Sequence, residues 1–275
     1  MRPERLFGGY VFDLDGTIYL GDELLPGARR LIEGVRRLER RVLFLSNNPT
    51  KDPDEYAAKL TRLGIPATPA EVVNTVVTMT RWLVQHHPRA TVFPIAEEPL
   101  KRSLRAAGIR LSEDPAEIDV VVASYDRGFD YRKLQIAFDA IWFHKRARLV
   151  TTNPDRYCPT PGGRGEPDAA AIVAAIEACT GARCEVNTGK PDPIMLHTAL
   201  QALDLPAGDC VMTGDRLYTD IRMALDAAMP SALVLTGETT REALTDVDAA
   251  SRPEYVLSRI DHLLPVSAWL ELGWS

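Results

Sequence analysis

A parallel-sheet α/β fold is predicted by three features of the 275-residue sequence. Short apolar runs alternate with amphipathic stretches, so strands are expected to alternate with helices. Several of these runs contain no polar alternation, as in strands buried on both faces of a parallel sheet. Polar clusters close the runs, where an open parallel sheet binds its ligands.

The expected strands, in order, are GYVFDL (9–14), RVLFLS (41–46), TVFPIA (91–96), IDVVVAS (118–124), ARLVTT (147–152), DCVMTG (209–214) and SALVLTG (231–237). The first helix is expected within GARRLIEGVRRLERR. Its six arginines intersperse with Leu31, Ile32, Val35 and Leu38 at helical spacing, which makes a solvated face opposite an apolar one. Asp52-Pro53-Asp54-Glu55 opens the next helix with an N-cap, a proline at the first helical position and a capping-box glutamate. Asp192-Pro193 opens PIMLHTALQAL in the same manner. The stretch NPDRYCPTPGGRGEPD (153–168) is dense in proline and glycine and is expected to be a functional loop.

Composition excludes several classes. A hydrophobic fraction of 45% and a charged fraction of 25% belong to an ordinary globular protein. The net charge of -6, with no basic stripe, argues against a nucleic-acid binder. Cys158, Cys179, Cys184 and Cys210 form no CxxC pair and the histidines no HExxH pattern, so neither a zinc site nor a disulfide framework is expected. No apolar run approaches the ~20 residues of a membrane helix, and MRPERLFGGY lacks a signal-peptide core. A cytoplasmic location is the expectation.

Four polar clusters carry the chemistry. They are Asp13-Leu14-Asp15-Gly16-Thr17, Ser46-Asn47-Asn48-Pro49, Gly189-Lys190-Pro191 and Gly214-Asp215-Arg216-Leu217-Tyr218-Thr219-Asp220. Asp13 and Asp215 are hard oxygen ligands suited to magnesium. Ser46, the Asn47 backbone N–H and the Lys190 ammonium are donors suited to phosphate oxygens. Nucleophile, metal ligands and phosphate donors together specify phosphoryl transfer. Each cluster alone is weaker evidence: Asp13 and Asp15 could merely cap a turn, Lys190 could be a surface lysine, and Asp220 a first-turn helix acid.

With these motifs the chain resembles the haloacid dehalogenase (HAD) superfamily, whose hallmarks are DxDGT, a strand-end Ser or Thr, a Lys, and GDxxxxD. The stretches DLDGTIYLGDELLPGA, LSNNPTK, TTNPD, GKPDPIM and GDRLYTDI are similar to subfamily IIA, the p-nitrophenyl phosphatase or NagD-like branch. Only 30 residues separate Asp15 from Ser46, whereas 143 lie between Ser46 and Lys190. The second gap alone has room for an inserted domain. The resemblance implies a Rossmann-like catalytic core over 1–80 and 187–275, with an α/β type-2 cap over 81–186.

The same resemblance implies roles. Asp13 would attack phosphorus and form an aspartyl-phosphate, and Asp15 would act as general acid and then general base. Magnesium would be held by Asp13, Asp215 and the Asp15 backbone carbonyl, with Asp220 orienting the metal shell or Lys190. Ser46, Asn47, Lys190, Asp15 and Gly16 would surround the phosphate. Asp15 separates phosphate-ester hydrolysis from dehalogenation, whose enzymes lack this second acid. The rival reading is a non-catalytic phosphometabolite-binding or regulatory protein on the same fold.

In relatives the loop after TTNPD helps to choose the substrate. Here Asp155, Arg164, Glu166 and Asp168 fall in that segment, and Asp126-Arg127 matches a further cap pattern. Relatives commonly read PGAGA where this chain has Pro167-Asp168-Ala169-Ala170-Ala171. Asp168 reads first as a helix-start acid, and as a contact for sugar or polyol hydroxyls in the sharper alternative. The expected ligand is a small phosphate ester: a sugar or polyol phosphate, phosphoglycolate, pyridoxal phosphate or a nucleoside monophosphate. A homodimer through the cap is the expected assembly.

Overall fold

The computed structural model describes residues 2–160, 164–245 and 247–274. Its strands begin with β1 (Gly9–Asp13), β2 (Tyr19–Leu20), β3 (Glu23–Leu24), β4 (Arg41–Ser46) and β5 (Val72–Asn74). They continue with β6 (Thr91–Ile95), β7 (Arg110–Leu111), β8 (Val120–Ala123), β9 (Arg148–Thr151), β10 (Tyr157–Thr160) and β11 (Arg164–Pro167). The last four are β12 (Cys184–Asn187), β13 (Cys210–Gly214), β14 (Ser231–Val234) and β15 (Tyr255–Leu257). Among the helices are α1 (Ala28–Arg37), α2 (Pro53–Arg62), α3 (Thr75–His86), α4 (Glu98–Ala106), α5 (Tyr131–Phe138), α6 (Ala169–Thr180) and α7 (Pro193–Leu203). The fold class is α/β, as the alternation of runs predicts.

The chain divides into two compact units. One comprises Met1–Ser46, Pro53–Val73 and Leu196–Ser275, the other Asn47–Asp52 and Asn74–Met195. The first is organised by a six-stranded sheet in the order β15-β14-β13-β1-β4-β5. β1 runs parallel to both β13 and β4. Period-2 geometry explains its apolar sequence: Tyr10 and Phe12 enter a core with Leu31, Ile32 and Val35 of α1, while Val11 between them is buried too. The arginines of α1 lie outside that apolar face, as their spacing predicts.

The second unit has its own parallel sheet, ordered β12-β9-β8-β6-β7. Along β8, Val120 and Val122 join one apolar cluster while Val121 and Ala123 join another. A strand buried on both faces needs an unbroken apolar run, and VVVA supplies it.

One expectation needs correction. The stretch 153–168 is not wholly irregular, because β10 and β11 pair antiparallel from Tyr157↔Pro167 to Thr160↔Arg164. Proline is tolerated in such a two-stranded ribbon, where each strand has a free edge. Residues 161–163 of the expected loop lie outside the described residues. Among the described residues no helix is long and apolar enough to cross a membrane.

Candidate active site

β1 lies where the order of the six-stranded sheet reverses, with β4 on one side and β13 on the other. Beyond the carboxyl ends of strands at such a point a crevice forms. Asp13 ends β1, Ser46 ends β4, and Asp215 directly follows β13. Register aligns these ends, since Asp13 pairs with Leu45 and Phe12 with Thr213.

One carboxylate oxygen from each of Asp13, Asp215 and Asp220 lies within 4.8 Å of the others. The three residues are 8%, 2% and 0% exposed. Asp220 comes from a wide helical turn, Leu217–Ile221, and accepts the Arg216 N–H at 3.1 Å. Asp215 Oδ2 accepts the Glu238 N–H at 2.6 Å, while its Oδ1 has no hydrogen-bond partner among the described residues. Burial, then the charges of Asp13 and Asp220, push the Asp215 carboxyl from 3.8 up to about 8, against weaker opposition from the Glu238 N–H and Arg216.

This arrangement fits a hard divalent cation. A buried carboxylate oxygen lacking a donor costs free energy that a cation would recover, and magnesium takes carboxylate oxygens. Asp13, Asp215 and Asp220 together could hold such a cation.

Asp15 lies outside the three-acid cluster and is half-buried. The turn that follows it is tight: the N–H groups of Thr17, Ile18 and Tyr19 all reach the Leu14 carbonyl, and the Gly16 N–H reaches the Tyr19 carbonyl at 2.8 Å. Gly16 has φ +89°, a left-handed conformation that favours glycine. Burial, then Asp15, Tyr56 and Asp13, hold the Tyr19 hydroxyl well above the usual phenol range. Ser46 Oγ is 3.3 Å from Tyr56 Oη.

Lys59, absent from the expected site, is buried with its Nζ 3.6 Å from the Tyr19 ring centroid. The signal was on α2: Tyr56, Lys59 and Leu60 share one face at i, i+3 and i+4 spacing, so the lysine sits on an apolar stripe.

In the other unit Lys190 is buried beside a polar network. The Asn47 side chain bonds the Lys190 main chain and donates to Asp155 Oδ2 at 3.0 Å. Asp168 is the N-cap of α6; its Oδ1 accepts the Ala169 N–H at 2.6 Å and Asn153 Nδ2 at 3.4 Å. It is therefore buried among protein donors. Glu166 accepts the Tyr125 hydroxyl, and Asp126 accepts Lys133 Nζ at 2.6 Å. Arg127 grips Glu97 through two bonds, of 2.6 and 2.8 Å. Arg164 is exposed on β11.

A family profile described as haloacid dehalogenase-like hydrolase matches residues 10–110, and a HAD-hydrolase-like profile matches residues 187–263. An acid sugar phosphatase of Staphylococcus haemolyticus is 33% identical over 249 residues, 90% of this chain and 92% of that protein. The chain belongs to the haloacid dehalogenase-like hydrolases. A 5'-nucleotidase of Bacillus subtilis is 30% identical to this HAD hydrolase over 95% of the chain and 99% of that protein. The crystal structure of a 4-nitrophenylphosphatase from Thermotoga maritima superposes with a TM-score of 0.87 at 32% identity, covering 94% of this chain and 96% of that one. This HAD hydrolase thus falls in the p-nitrophenyl phosphatase and NagD-like branch, with a parallel-sheet core and a cap domain. Its class is phosphoric monoester hydrolase.

Proposed function

We propose that this HAD-type phosphoric monoester hydrolase removes phosphate from a small phosphorylated metabolite through an aspartyl-phosphate on Asp13, with magnesium as cofactor. The observation that carries the reading is the buried trio of Asp13, Asp215 and Asp220 at the strand ends, with Asp215 Oδ1 lacking a donor. Magnesium, when bound, supplies positive charge that offsets the charge developing on the phosphoryl oxygens.

In the proposed reaction a carboxylate oxygen of Asp13 attacks phosphorus as the bond to the ester oxygen breaks. Asp15 gives its proton to that leaving oxygen. Water then attacks the phosphorus of the acyl phosphate, Asp15 takes the water's proton, and the Asp13 carboxylate is released with inorganic phosphate. Ser46, the Asn47 backbone N–H and the Lys190 ammonium are assigned as donors to the phosphoryl oxygens, with Asp15 and Gly16 beside the phosphate; the Gly16 N–H itself closes the turn onto the Tyr19 carbonyl. Residues 1–80 with 187–275 are assigned as the catalytic core and 81–186 as the cap.

Sugar phosphates are the first substrate class to test, because a relative named acid sugar phosphatase supports them, and nucleoside monophosphates come second. The location is taken as cytoplasmic, and a homodimer through the cap is the assembly to test.

The deciding experiment is magnesium-dependent release of p-nitrophenol from p-nitrophenyl phosphate, followed by a panel of phosphorylated metabolites. Turnover that Asp13→Asn abolishes supports the reading. No turnover, with Asp13→Asn making no difference, sinks it.

A further inference from the structure

Lys190 is gripped by its main chain, from a residue 143 positions away. Asn47 Oδ1 accepts the Lys190 N–H at 2.7 Å, and Asn47 Nδ2 donates to the Lys190 carbonyl at 3.1 Å. The second Nδ2 hydrogen goes to Asp155 Oδ2 at 3.0 Å. Both donor hydrogens of the amide and its oxygen are thus engaged.

The preceding residue is held in the same way. Asn187 Oδ1 accepts the Gly189 N–H at 3.0 Å, and Asn187 Nδ2 donates to the Gly189 carbonyl at 2.9 Å. A Cβ on Gly189 would stand 2.5 Å from the Thr152 carbonyl oxygen and 2.8 Å from Asn47 Oδ1, so this approach requires glycine. Asn47 is anchored in turn. Its carbonyl accepts Thr75 Oγ1 at 2.9 Å and Asn153 Nδ2 at 3.2 Å. Asn153 Oδ1 accepts the Asp155 N–H at 2.9 Å, which ties Asp155 to the same network.

We propose that the Asn47 side chain is the positioning residue for Lys190, and that Asp155 orients Asn47 rather than contacting substrate. The inference rests on the phosphatase reading, in which the Lys190 ammonium serves the transferring phosphoryl group. A lysine carries its charge on a flexible four-carbon stem. Where that charge arrives depends first on where the main chain is fixed, and a displacement of about 1 Å at a reacting centre costs on the order of 100-fold in rate. Only an amide fits residue 47. A carboxylate there would set an acceptor against the Lys190 carbonyl and the Asp155 carboxylate.

The test is a double-mutant cycle on the full chain with p-nitrophenyl phosphate and magnesium, combining Asn47→Ala with Lys190→Met. Alone, Asn47→Ala is expected to lower kcat about 10- to 100-fold, with a smaller change in KM. In the Lys190→Met background the same change is expected to lower kcat less than about 3-fold, because the group it positions is gone. Asp155→Ala is expected to follow the same pattern with a smaller effect. Equal fold-losses in both backgrounds would overturn the inference while leaving the phosphatase reading intact. Should Asn47→Ala fail to fold, Asn47→Ser takes its place in the cycle with the same expected outcomes, because it is uncharged and too short to bridge the Lys190 N–H and carbonyl. Absence of turnover in the unsubstituted chain removes the phosphatase reading and this inference with it.

Discussion

A Cβ on Gly16 would stand 2.6 Å from Asp215 Oδ2, inside the distance any real side chain keeps from a carboxylate. The turn after β1 and the acid after β13 therefore fit together only because residue 16 has no side chain. Gly16→Ala meets two penalties, the positive φ and the push on Asp215. Stability is expected to fall by about 1–3 kcal/mol, read from thermal unfolding, and kcat/KM on p-nitrophenyl phosphate by ~100-fold or more.

Asp215 predicts a pH signature. Its folded value of about 8 lies above its ordinary 3.8, so between those values the folded state holds a proton that the unfolded chain has released. The resulting stability is fully present below pH 3.8 and is lost as pH rises through about 8. In the presence of a chelator, the melting temperature is therefore expected to fall between pH 5 and pH 8. Added magnesium should raise it most at the upper end, where the carboxylates are ionised. Scanning fluorimetry at several pH values, with and without magnesium, reads both trends.

Asp215→Asn separates function from stability at the same position. The amide can still accept the Glu238 N–H but adds no charge beside Asp13 and Asp220. At pH 8 and without metal the variant is expected to melt higher than the parent and to lose most of the pH slope. Its phosphatase activity should drop ~100-fold or more, with weakened magnesium binding by calorimetry. A variant as active as the parent would remove Asp215 from the proposed metal site.

Asp168 caps α6 from a buried position. Asp168→Ala is expected to cost about 0.5–2 kcal/mol, typical of a lost N-cap, while ratios of kcat/KM across a phosphate-ester panel stay the same. Ratios that change between sugar phosphates and p-nitrophenyl phosphate would instead make Asp168 a substrate contact.

The Tyr125–Glu166 bond offers the contrasting case, because Glu166 lies on the β10–β11 ribbon in the segment expected to choose the substrate. Tyr125→Phe removes the donor to Glu166 at a cost of about 1 kcal/mol. The panel ratios are expected to shift while kcat on p-nitrophenyl phosphate changes less than about 3-fold. Unchanged ratios would remove this pair from specificity.

Legibility in the sequence followed burial. The runs at 9–14, 41–46, 118–124 and 209–214 became inner strands of their sheets, where both faces are covered and an unbroken apolar run is the only workable composition. The strands without an expected counterpart include Val72–Asn74, Arg110–Leu111, Cys184–Asn187 and Tyr255–Leu257, which are the outermost strands of the two larger sheets. An edge strand has one neighbour, is short and tolerates polar residues, so its period is too brief to read. At the site, Asp13, Asp215 and Asp220 were readable as motif positions, and the sheet register brings Asp13 and Asp215 to neighbouring strand ends. The role of the Asn47 side chain was not, and Lys59 showed only as a lysine on an apolar stripe of α2, because their partners lie in distant segments. Lys59 meets Tyr19 and Asn47 meets Lys190 only through tertiary packing.

β1 has a hydrogen-bonded neighbour on each side and buried residues throughout. Its amides should exchange with solvent only when the whole sheet opens, which places Asp13 in the most protected tier of the unit. The proposed nucleophile would then have no independent way to loosen. Partial fraying at β5 or β15 would leave it in register, so inactivation by denaturant should coincide with loss of the sheet instead of preceding it.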